Sequence, residues 1–404
     1  MALDLEFARA QFPALASGAA FFDNAGGSLV LKGVAERVAD YLLTTSVQTG
    51  ASYKQSQQAT ARLHESREKI ARWIGAARPE EVVLGPTTTM MMRNLATAMA
   101  SQMRPGDEVI LTDFDHESNI GPWRILAARD VVFKTWSIDR DSLAINLRAL
   151  ERLMTKRTKL VCVTHASNIL GSINPIAAIA RLVHAQGARI CVDGVAFAPH
   201  RAIDVAALDV DFYGFSFYKA FGPHFAVLYG KHERLLELDG LYHYFYGKDK
   251  VPAKLEPGNP NYELAWGCTA IVDYLDTLGG GGGDHAAIER AFGEIATHEE
   301  IIAERLLSYL RARNDIRIVG EREADRALRV PTISFKADRR DAADLVARVD
   351  ADDIGMRHGD FHSRGLVEHL GLAGQGGVLR VSMAHYNTLE DVDRLVASLD
   401  RALA

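Results

Sequence analysis

The sequence contains few cysteines, and this scarcity excludes a disulfide framework. Three are present in 404 residues, at Cys162, Cys191 and Cys268, and no two of them stand at metal-ligand spacing. Small proteins of oxidising compartments are far richer in cysteine. We therefore expect a cytoplasmic protein, with no metal bound.

Long apolar runs and an excess of one charge are also absent. No stretch of roughly 18 uncharged apolar residues occurs, so no transmembrane helix is expected. The N-terminal MALDLEFARAQF carries acids where a signal peptide has basic and then apolar residues. A net charge of −6 gives no reason to expect nucleic acid or an anionic membrane as a partner. A hydrophobic content of 48% over this length indicates a soluble globular protein of two domains.

Short apolar segments alternate with helical patterns from Glu81 to Gly230. Segments such as EVVLG, DEVILT, TKLVCVT, RICVD and DFYGFSF have the length and composition of buried strands. Alternating strands and helices predict an α/β domain with a mostly parallel sheet covered on both faces. From His285 onward, long helices with a few strands predict a smaller α+β domain.

The stretch from Ala188 to Gly230 brings an acid and a lysine to the ends of two of these strands. Asp193 closes RICVD, and Lys219 follows DFYGFSF. Ligands of open α/β sheets bind at the carboxyl ends of the strands. Pyridoxal 5'-phosphate needs such a pair, because its aldehyde forms a Schiff base with a lysine and its ring nitrogen bonds an aspartate. Ser216, three residues before Lys219, is close enough to hold a phosphate oxygen, although a strand-terminal acid and a surface lysine are more often unremarkable.

A second phosphate signal lies at Thr87, Thr88 and Thr89, which precede an apolar helical run. One of the three is expected to cap the helix. The free N–H groups and the dipole at a helix N-terminus bind phosphate. Capping alone would also explain the threonines, but next to Ser216 and Lys219 we favour phosphate binding by Thr88 and Thr89.

The segments VDGVAFAPH and SFYKAFGPHFAVLYG resemble the aspartate and lysine segments of the class V aminotransferases. The nearest subgroup is the group II cysteine desulfurases and selenocysteine lyases, and the resemblance runs from Phe12 to Leu395. It implies the fold type I of pyridoxal-phosphate transferases, with a mostly parallel seven-stranded sheet in the large domain and a homodimer. The domains it implies are a large cofactor-binding domain at 18–250, a small domain from 1–17 and 281–404, and an interface loop with a connecting helix at 251–280.

The resemblance also assigns roles to individual residues. Lys219 would hold the cofactor as an aldimine and then act as the base, and Arg380 in LRVSMAHYN would grip the substrate carboxylate bidentately. His116 would stack on the cofactor ring and move protons. Asn168 would donate to the cofactor hydroxyl and the substrate carboxylate. The remaining expected site residues are Asp193, Thr88, Thr89, Ser216 and the partner-facing Asn259 for the cofactor, and Asn24, Ala25 and Arg357 for the substrate.

Three departures from the family pattern limit what can be inferred about the reaction. The loop GMRHGDFHSRG has His362 or Ser363 where cysteine desulfurases carry the cysteine that takes the sulfur as a persulfide. Ala196 replaces a glutamine, and Tyr218 replaces a histidine before the lysine. We therefore expect the cofactor to be retained and a persulfide mechanism to be absent.

Three functions remain after these departures. The first is C–S chemistry on an amino acid, by β-elimination or a desulfurase-like reaction, with His362 as an acid for the leaving group. The second is transfer of the amino group to a keto acid, and racemisation is a further outcome of the same chemistry. The third is a non-catalytic protein that binds the cofactor and regulates a partner, which the retention of Lys219, Asp193, His116 and Arg380 argues against.

Overall fold

The computed structural model describes residues 3–338 and 340–404. Within them, no helix combines the length and the apolar composition that crossing a bilayer requires. The strands are β1 Ala20–Phe21, β2 Val82–Gly85, β3 Glu108–Thr112, β4 Val132–Trp136, β5 Thr158–Thr164, β6 Arg189–Asp193, β7 Phe212–Ser216, β8 Ala226–Gly230, β9 Ile316–Val319, β10 Thr332–Ala337, β11 Ile354–Gly355, β12 Arg357–Gly359 and β13 Val378–Ser382.

The helices alternate with the strands through the first half of the chain. They are α1 Leu5–Ala10, α2 Lys32–Thr44, α3 Lys54–Ile74, α4 Thr88–Met99, α5 Leu147–Leu153, α6 Ile176–Ala185, α7 Val205–Leu208, α8 His232–Glu237, α9 Tyr262–Leu278, α10 His285–Arg311, α11 Ala342–Asp350, α12 Arg364–His369 and α13 Leu389–Leu403.

A seven-stranded sheet forms the larger body of the protein. Its order is β2-β8-β7-β6-β5-β3-β4, and all neighbours are parallel except those of β8, which runs antiparallel to β2 and β7. Strands β2, β3, β6, β7 and β8 are almost wholly buried, as strands covered by helices on both faces must be. The expected mostly parallel seven-stranded sheet is confirmed.

A second, antiparallel sheet forms the smaller body, in the order β12-β13-β10-β9. Helices α11 and α13 pack with it around a separate apolar core. The short strand β1 pairs with β11, so the chain near residue 20 lies against this smaller body. The division into 18–250, 251–280 and the remaining segments therefore stays a proposal.

Helix α10 joins the two bodies. Ile288, Phe292 and Ile295 in its first half belong to the core of the large sheet, and Ile302 and Leu306 in its second half belong to the core of the small sheet. A helix of 27 residues spans about 40 Å. One continuous helix therefore connects both hydrophobic cores.

The parallel strands β3, β5, β6 and β7 end at one edge of the large sheet. Thr164 lies beside Asp193 in the ladder, and Asp193 lies beside Gly214. The loops that leave these strands contain polar residues, and β12 and β13 of the small body face the same edge through Arg357 and Arg380. This edge contains the candidate site.

Candidate active site

Lys219 and Asp193 line one cavity of about 370 Å³ at the edge of the sheet. Lys219 ends a single 3-10 turn directly after β7, and Asp193 is the last residue of β6. Both are buried, at 8% and 2% exposure. The Asp193 carboxylate accepts hydrogen bonds from the Val195 N–H at 2.9 Å and the Ser118 hydroxyl at 3.3 Å. The acid is therefore held in one orientation, whereas the lysine amine has no hydrogen-bond or ion-pair partner among the described residues.

Burial controls the ionisation of both groups. It lowers the pKa of Lys219 from 10.5 to about 8, with the positive charge of Arg380 acting in the same direction and the charges of Asp193 and Asp23 opposing it. Burial raises the pKa of Asp193, against the hydrogen bond from Val195 and the charge of Lys219. A lysine with a pKa near neutrality can gain and lose a proton during a reaction.

The N-terminus of α4 forms a polar end of the same cavity. Thr87 is the N-cap, with its hydroxyl accepting from the Met90 N–H at 3.1 Å. The hydroxyl oxygens of Thr88 and Ser216 lie 2.6 Å apart, and the Thr88 N–H donates to the Ser216 hydroxyl at 3.2 Å. The expected cap is therefore Thr87, which leaves Thr88, Thr89 and Ser216 together at a helix N-terminus suited to an anion.

His116 lies above the cavity as a neutral imidazole. Its Nδ1 accepts from the Ser118 N–H at 3.0 Å, which places the ring proton on Nε2. Burial lowers the pKa of His116 to about 3, and the charges of Lys219, His362 and Arg380 add to this effect. The ring centres of His116 and His362 are 5.4 Å apart, and both side chains line the adjoining cavity that contains Arg380.

Arg380 and Arg357 enter the site from the small body and share one carboxylate. Arg380 is 2% exposed and donates to the Asp23 carboxylate at 3.0 Å, and Arg357 lies 3.4 Å from the other oxygen of Asp23. The Arg380 guanidinium stacks 3.7 Å from the centre of the Phe361 ring. A buried guanidinium with a partly exposed partner acid is suited to binding a second carboxylate.

Asn168 ties the loop that carries His362 to the large sheet. Its side-chain amide donates to the Phe361 carbonyl at 3.0 Å and accepts from the Ser363 hydroxyl at 2.8 Å. Ser363 is fully buried, whereas His362 lines two adjoining cavities. Of the two candidates for the position of the sulfur-carrying cysteine, His362 is the one that faces the site.

Comparison with known proteins identifies the family to which a chain with this arrangement of residues belongs. The model of the family described as "Aminotransferase class-V" matches residues 20–395. The chain belongs to the class V aminotransferase family. This is a family of pyridoxal-phosphate-dependent enzymes, so the expectation of an enzyme is confirmed.

Individual relatives place the chain close to the cysteine desulfurases of this family. It is 42% identical to the aminotransferase-like protein FGM3 of Gibberella zeae, covering 99% of this chain and 98% of the relative. It is 32% identical to the cysteine desulfurase-like protein ustD of Aspergillus flavus, covering 98% and 90%. The solved structure of the cysteine desulfurase CsdA of Escherichia coli matches with a TM-score of 0.86 at 27% identity, over 100% of this chain and 99% of that one. Fold type I is therefore confirmed.

Two of the predicted site residues, Asn24 and Asn259, do not line the cavities that contain Lys219. Asn24 is buried, and its amide bonds the Ser382 carbonyl at 2.8 Å and the Tyr386 hydroxyl, while the neighbouring Ala25 lines the cavity next to Arg380. Asn259 is exposed in the loop before α9. An exposed Asn259 is compatible with a role in a partner's site, and its assignment stays a prediction.

All three cysteines are fully buried and none lines the candidate site. Cys162 and Cys191 lie side by side on β5 and β6, and Cys268 lies within α9. Burial raises the pKa of the Cys162 and Cys268 thiols well above the ordinary value. A thiol that stays protonated is a poor nucleophile.

Several site residues were missed by the sequence reasoning. Asp23, in the loop FFDNAGGS, is the acid between the two arginines, although only its neighbours Asn24 and Ala25 were selected. Asp115, directly before His116, is 1% exposed, and burial raises its pKa to about 7, with the charge of Asp193 adding to the rise. His224 lines the cavity five residues after Lys219. Asp23 and Asp115 each lie next to a residue that was selected, Asn24 and His116, and this adjacency in sequence could have pointed to them.

Proposed function

We propose that this protein is a pyridoxal-phosphate enzyme that acts on an α-amino acid and breaks a bond at its β-carbon, a C–S bond in the first instance. The observation that carries the proposal is the burial of Lys219 and Asp193 in one cavity, with Arg380 beside it. The cofactor, when bound, would supply the electron sink for such chemistry. The reaction would proceed without a persulfide.

The residues present fit the proposed cofactor. The cavity of about 370 Å³ falls in the range of small-molecule sites, roughly 300–1,000 Å³. Asp193 has a raised pKa, so it would share a proton readily with a basic ring nitrogen. Thr88, Thr89 and Ser216 would hold the phosphate at the N-terminus of α4. Ala196 lines the cavity at the position of the family's glutamine, and Asn168 has one amide N–H left for the contact with the cofactor hydroxyl.

Each remaining side chain has a task that its geometry allows. Lys219, with a pKa of about 8, would hold the cofactor and take the proton from the substrate α-carbon. Arg380 would bind the substrate carboxylate, and Arg357 would add a second positive charge. His116 would cover the ring as a neutral group.

The bond broken at the β-carbon is inferred from His362. It occupies the position of the sulfur-carrying cysteine, lines the cavity of about 270 Å³ together with Lys219 and Arg380, and has its ring centre 5.4 Å from that of His116. An imidazole can protonate a leaving thiolate. No thiol among the described residues reaches this place, so sulfur would leave as free sulfide.

Product analysis with L-cysteine tests the proposal. We expect sulfide with pyruvate, because elimination leaves an unsaturated product that hydrolyses to the keto acid. Turnover should not depend on added thiol reductant. His362→Ala should lower kcat by about tenfold to a hundredfold, the range for loss of a general acid.

Two controls define the outcome. His64→Ala, which changes an exposed histidine on α3, should leave turnover unchanged, and Cys268→Ala should do the same. Alanine together with sulfide would contradict the proposal, because the formation of alanine from cysteine requires an acceptor for the sulfur. Unchanged turnover of His362→Ala would contradict the role of this residue.

Amino-group transfer is the second candidate, and the name of the relative at 42% identity favours it. It predicts that an amino acid converts the cofactor to a form that persists until a keto acid is added. A lasting spectral change with no sulfide would select this function over the first.

We also propose a homodimer in the cytoplasm. Asn259 is exposed on a loop that lies outside its own chain's cavity, which suits a contact with the site of a second copy. Light scattering should give twice the mass of 44.3 kDa, and a monomer at working concentration would contradict this part of the proposal.

A further inference from the structure

His224 and Tyr218 form a stacked pair on the wall of the candidate active site. Their ring centres are 4.7 Å apart and their planes differ by 6°. Tyr218 precedes Lys219 directly, and the Lys219 amine lies 5.7 Å from the centre of the tyrosine ring. Among the described residues, neither ring nitrogen of His224 has a hydrogen-bond partner. The imidazole N–H of His224 is therefore available to a ligand at the wall of a polar cavity.

The position of His224 separates it from the carboxylate-binding end of the site. The cavity of about 270 Å³ beside Arg357 and Arg380 is lined by Tyr218 and Lys219 but not by His224. The cavity of about 370 Å³ is lined by His224 together with Thr87, Thr88, Thr89 and Ser216, and by neither arginine. His224 thus shares its cavity with the N-terminus of α4 and not with the two arginines.

A phosphate monoester at that end would carry nearly two negative charges at neutral pH. Three of the side chains that line the 370 Å³ cavity can become cations, namely Lys219, His116 and His224. Lys219 is needed at the aldehyde, and the pKa of His116 is lowered to about 3 by burial, so His116 stays neutral. Of these three side chains, His224 is the one without another role in the proposed function, and its ring nitrogens have no hydrogen-bond partner among the described residues.

We propose that His224 donates a hydrogen bond from its imidazole N–H to the cofactor phosphate, held in place by its stack on Tyr218. The inference rests on the proposed function and deepens it at one subsite. Tyr218 then serves as the support for a donor that comes from the loop after Lys219. The neutral hydroxyls of Thr88, Thr89 and Ser216 complete the binding of the same group.

Binding of two cofactor forms to the cofactor-free protein tests this assignment. Dissociation constants are measured by equilibrium dialysis for pyridoxal phosphate and for pyridoxal, which lacks the phosphate. His224→Ala should weaken binding of the phosphate form by about tenfold, the loss expected for one charge-assisted hydrogen bond, and leave pyridoxal binding unchanged. Tyr218→Leu should weaken the phosphate form in the same direction by removing the stack. His64→Ala is the matched control.

Phosphorus NMR of the bound cofactor gives a second readout that does not depend on activity. In the wild type, the hydrogen bond donated by His224 should keep the phosphate dianionic to lower pH than in His224→Ala. Equal affinity of wild type and His224→Ala for pyridoxal phosphate, or an equal loss for both cofactor forms, would overturn the assignment of His224 and leave the proposed function standing. Failure of the wild type to bind either form would overturn both.

Discussion

Replacing Lys219 by methionine should stabilise the cofactor-free protein at neutral pH. The lysine is 8% exposed, and burial lowers its pKa from 10.5 to about 8. This lowering of the pKa from 10.5 to about 8 corresponds to about 3 kcal/mol of folding free energy, at about 1.4 kcal/mol for each tenfold change in the ionisation constant. Below pH 8 the folded protein carries this cost in full, because the charged amine is less favourable in the cavity than in the unfolded chain. Methionine has a similar length and no charge.

The pH dependence of this difference gives the sign of the effect. Between pH 8 and 10.5 the unfolded wild type binds more protons than the folded wild type, so its stability rises with pH in that window. The variant lacks this contribution. We expect the free energy of unfolding of the methionine variant to exceed that of the wild type by about 3 kcal/mol near pH 7. This difference should shrink as the pH rises toward 10.5.

Urea unfolding of both cofactor-free proteins at several pH values measures the difference. Other titrating groups cancel in the comparison, and equal m-values would show that the unfolded states are alike. Parallel stability curves for the two proteins from pH 7 to 10.5 would refute the reasoning, since they would mean that Lys219 has an ordinary pKa in the fold.

Three further predictions concern the walls of the site. Arg380→Lys should raise the KM for the amino acid by about tenfold while cofactor binding stays unchanged, because an ammonium cannot bind a carboxylate bidentately; steady-state kinetics and cofactor titration check this. Asp23→Asn should destabilise the protein by about 3 kcal/mol, because it leaves the buried positive charge of Arg380 uncompensated. Amino acid ligands should raise the Tm of this variant more than that of the wild type, and thermal scans with and without ligand measure both effects. Nitrogen NMR should find His116 neutral from pH 5 to 8 with its proton on Nε2, and a charged ring at pH 6 would contradict the geometry with Ser118.

The strands and the two central residues follow from local sequence. RICVD and DFYGFSF are short, apolar and bounded by small residues. Their burial in a parallel sheet can therefore be predicted without knowledge of contacts to distant segments. Once they are parallel neighbours, Asp193 and the residues leading to Lys219 must reach the same edge. Thr88 follows β2 and Ser216 ends β7; the two strands run in the same direction on either side of β8, so both residues reach the same edge.

Contacts between distant segments were beyond such reasoning. Asp23 meets Arg380 across 357 positions, and the bond from Asn168 to Phe361 crosses 193 positions. Helical and strand periods carry no information about such pairs, because they depend on how the small body docks on the large one. The stack of His224 on Tyr218 is close in sequence, but it depends on a loop path that no repeating pattern describes.

Trapping of the cofactor by reduction tests directly whether Lys219 is the residue that holds pyridoxal phosphate. The purified protein is loaded with pyridoxal phosphate, reduced with borohydride and digested, and the modified peptide is identified by mass spectrometry. We expect one modified peptide, SFYKAFGPHF, with the label on Lys219, and no stable label in Lys219→Ala. A label on another lysine, or none after loading at saturating cofactor, would contradict it.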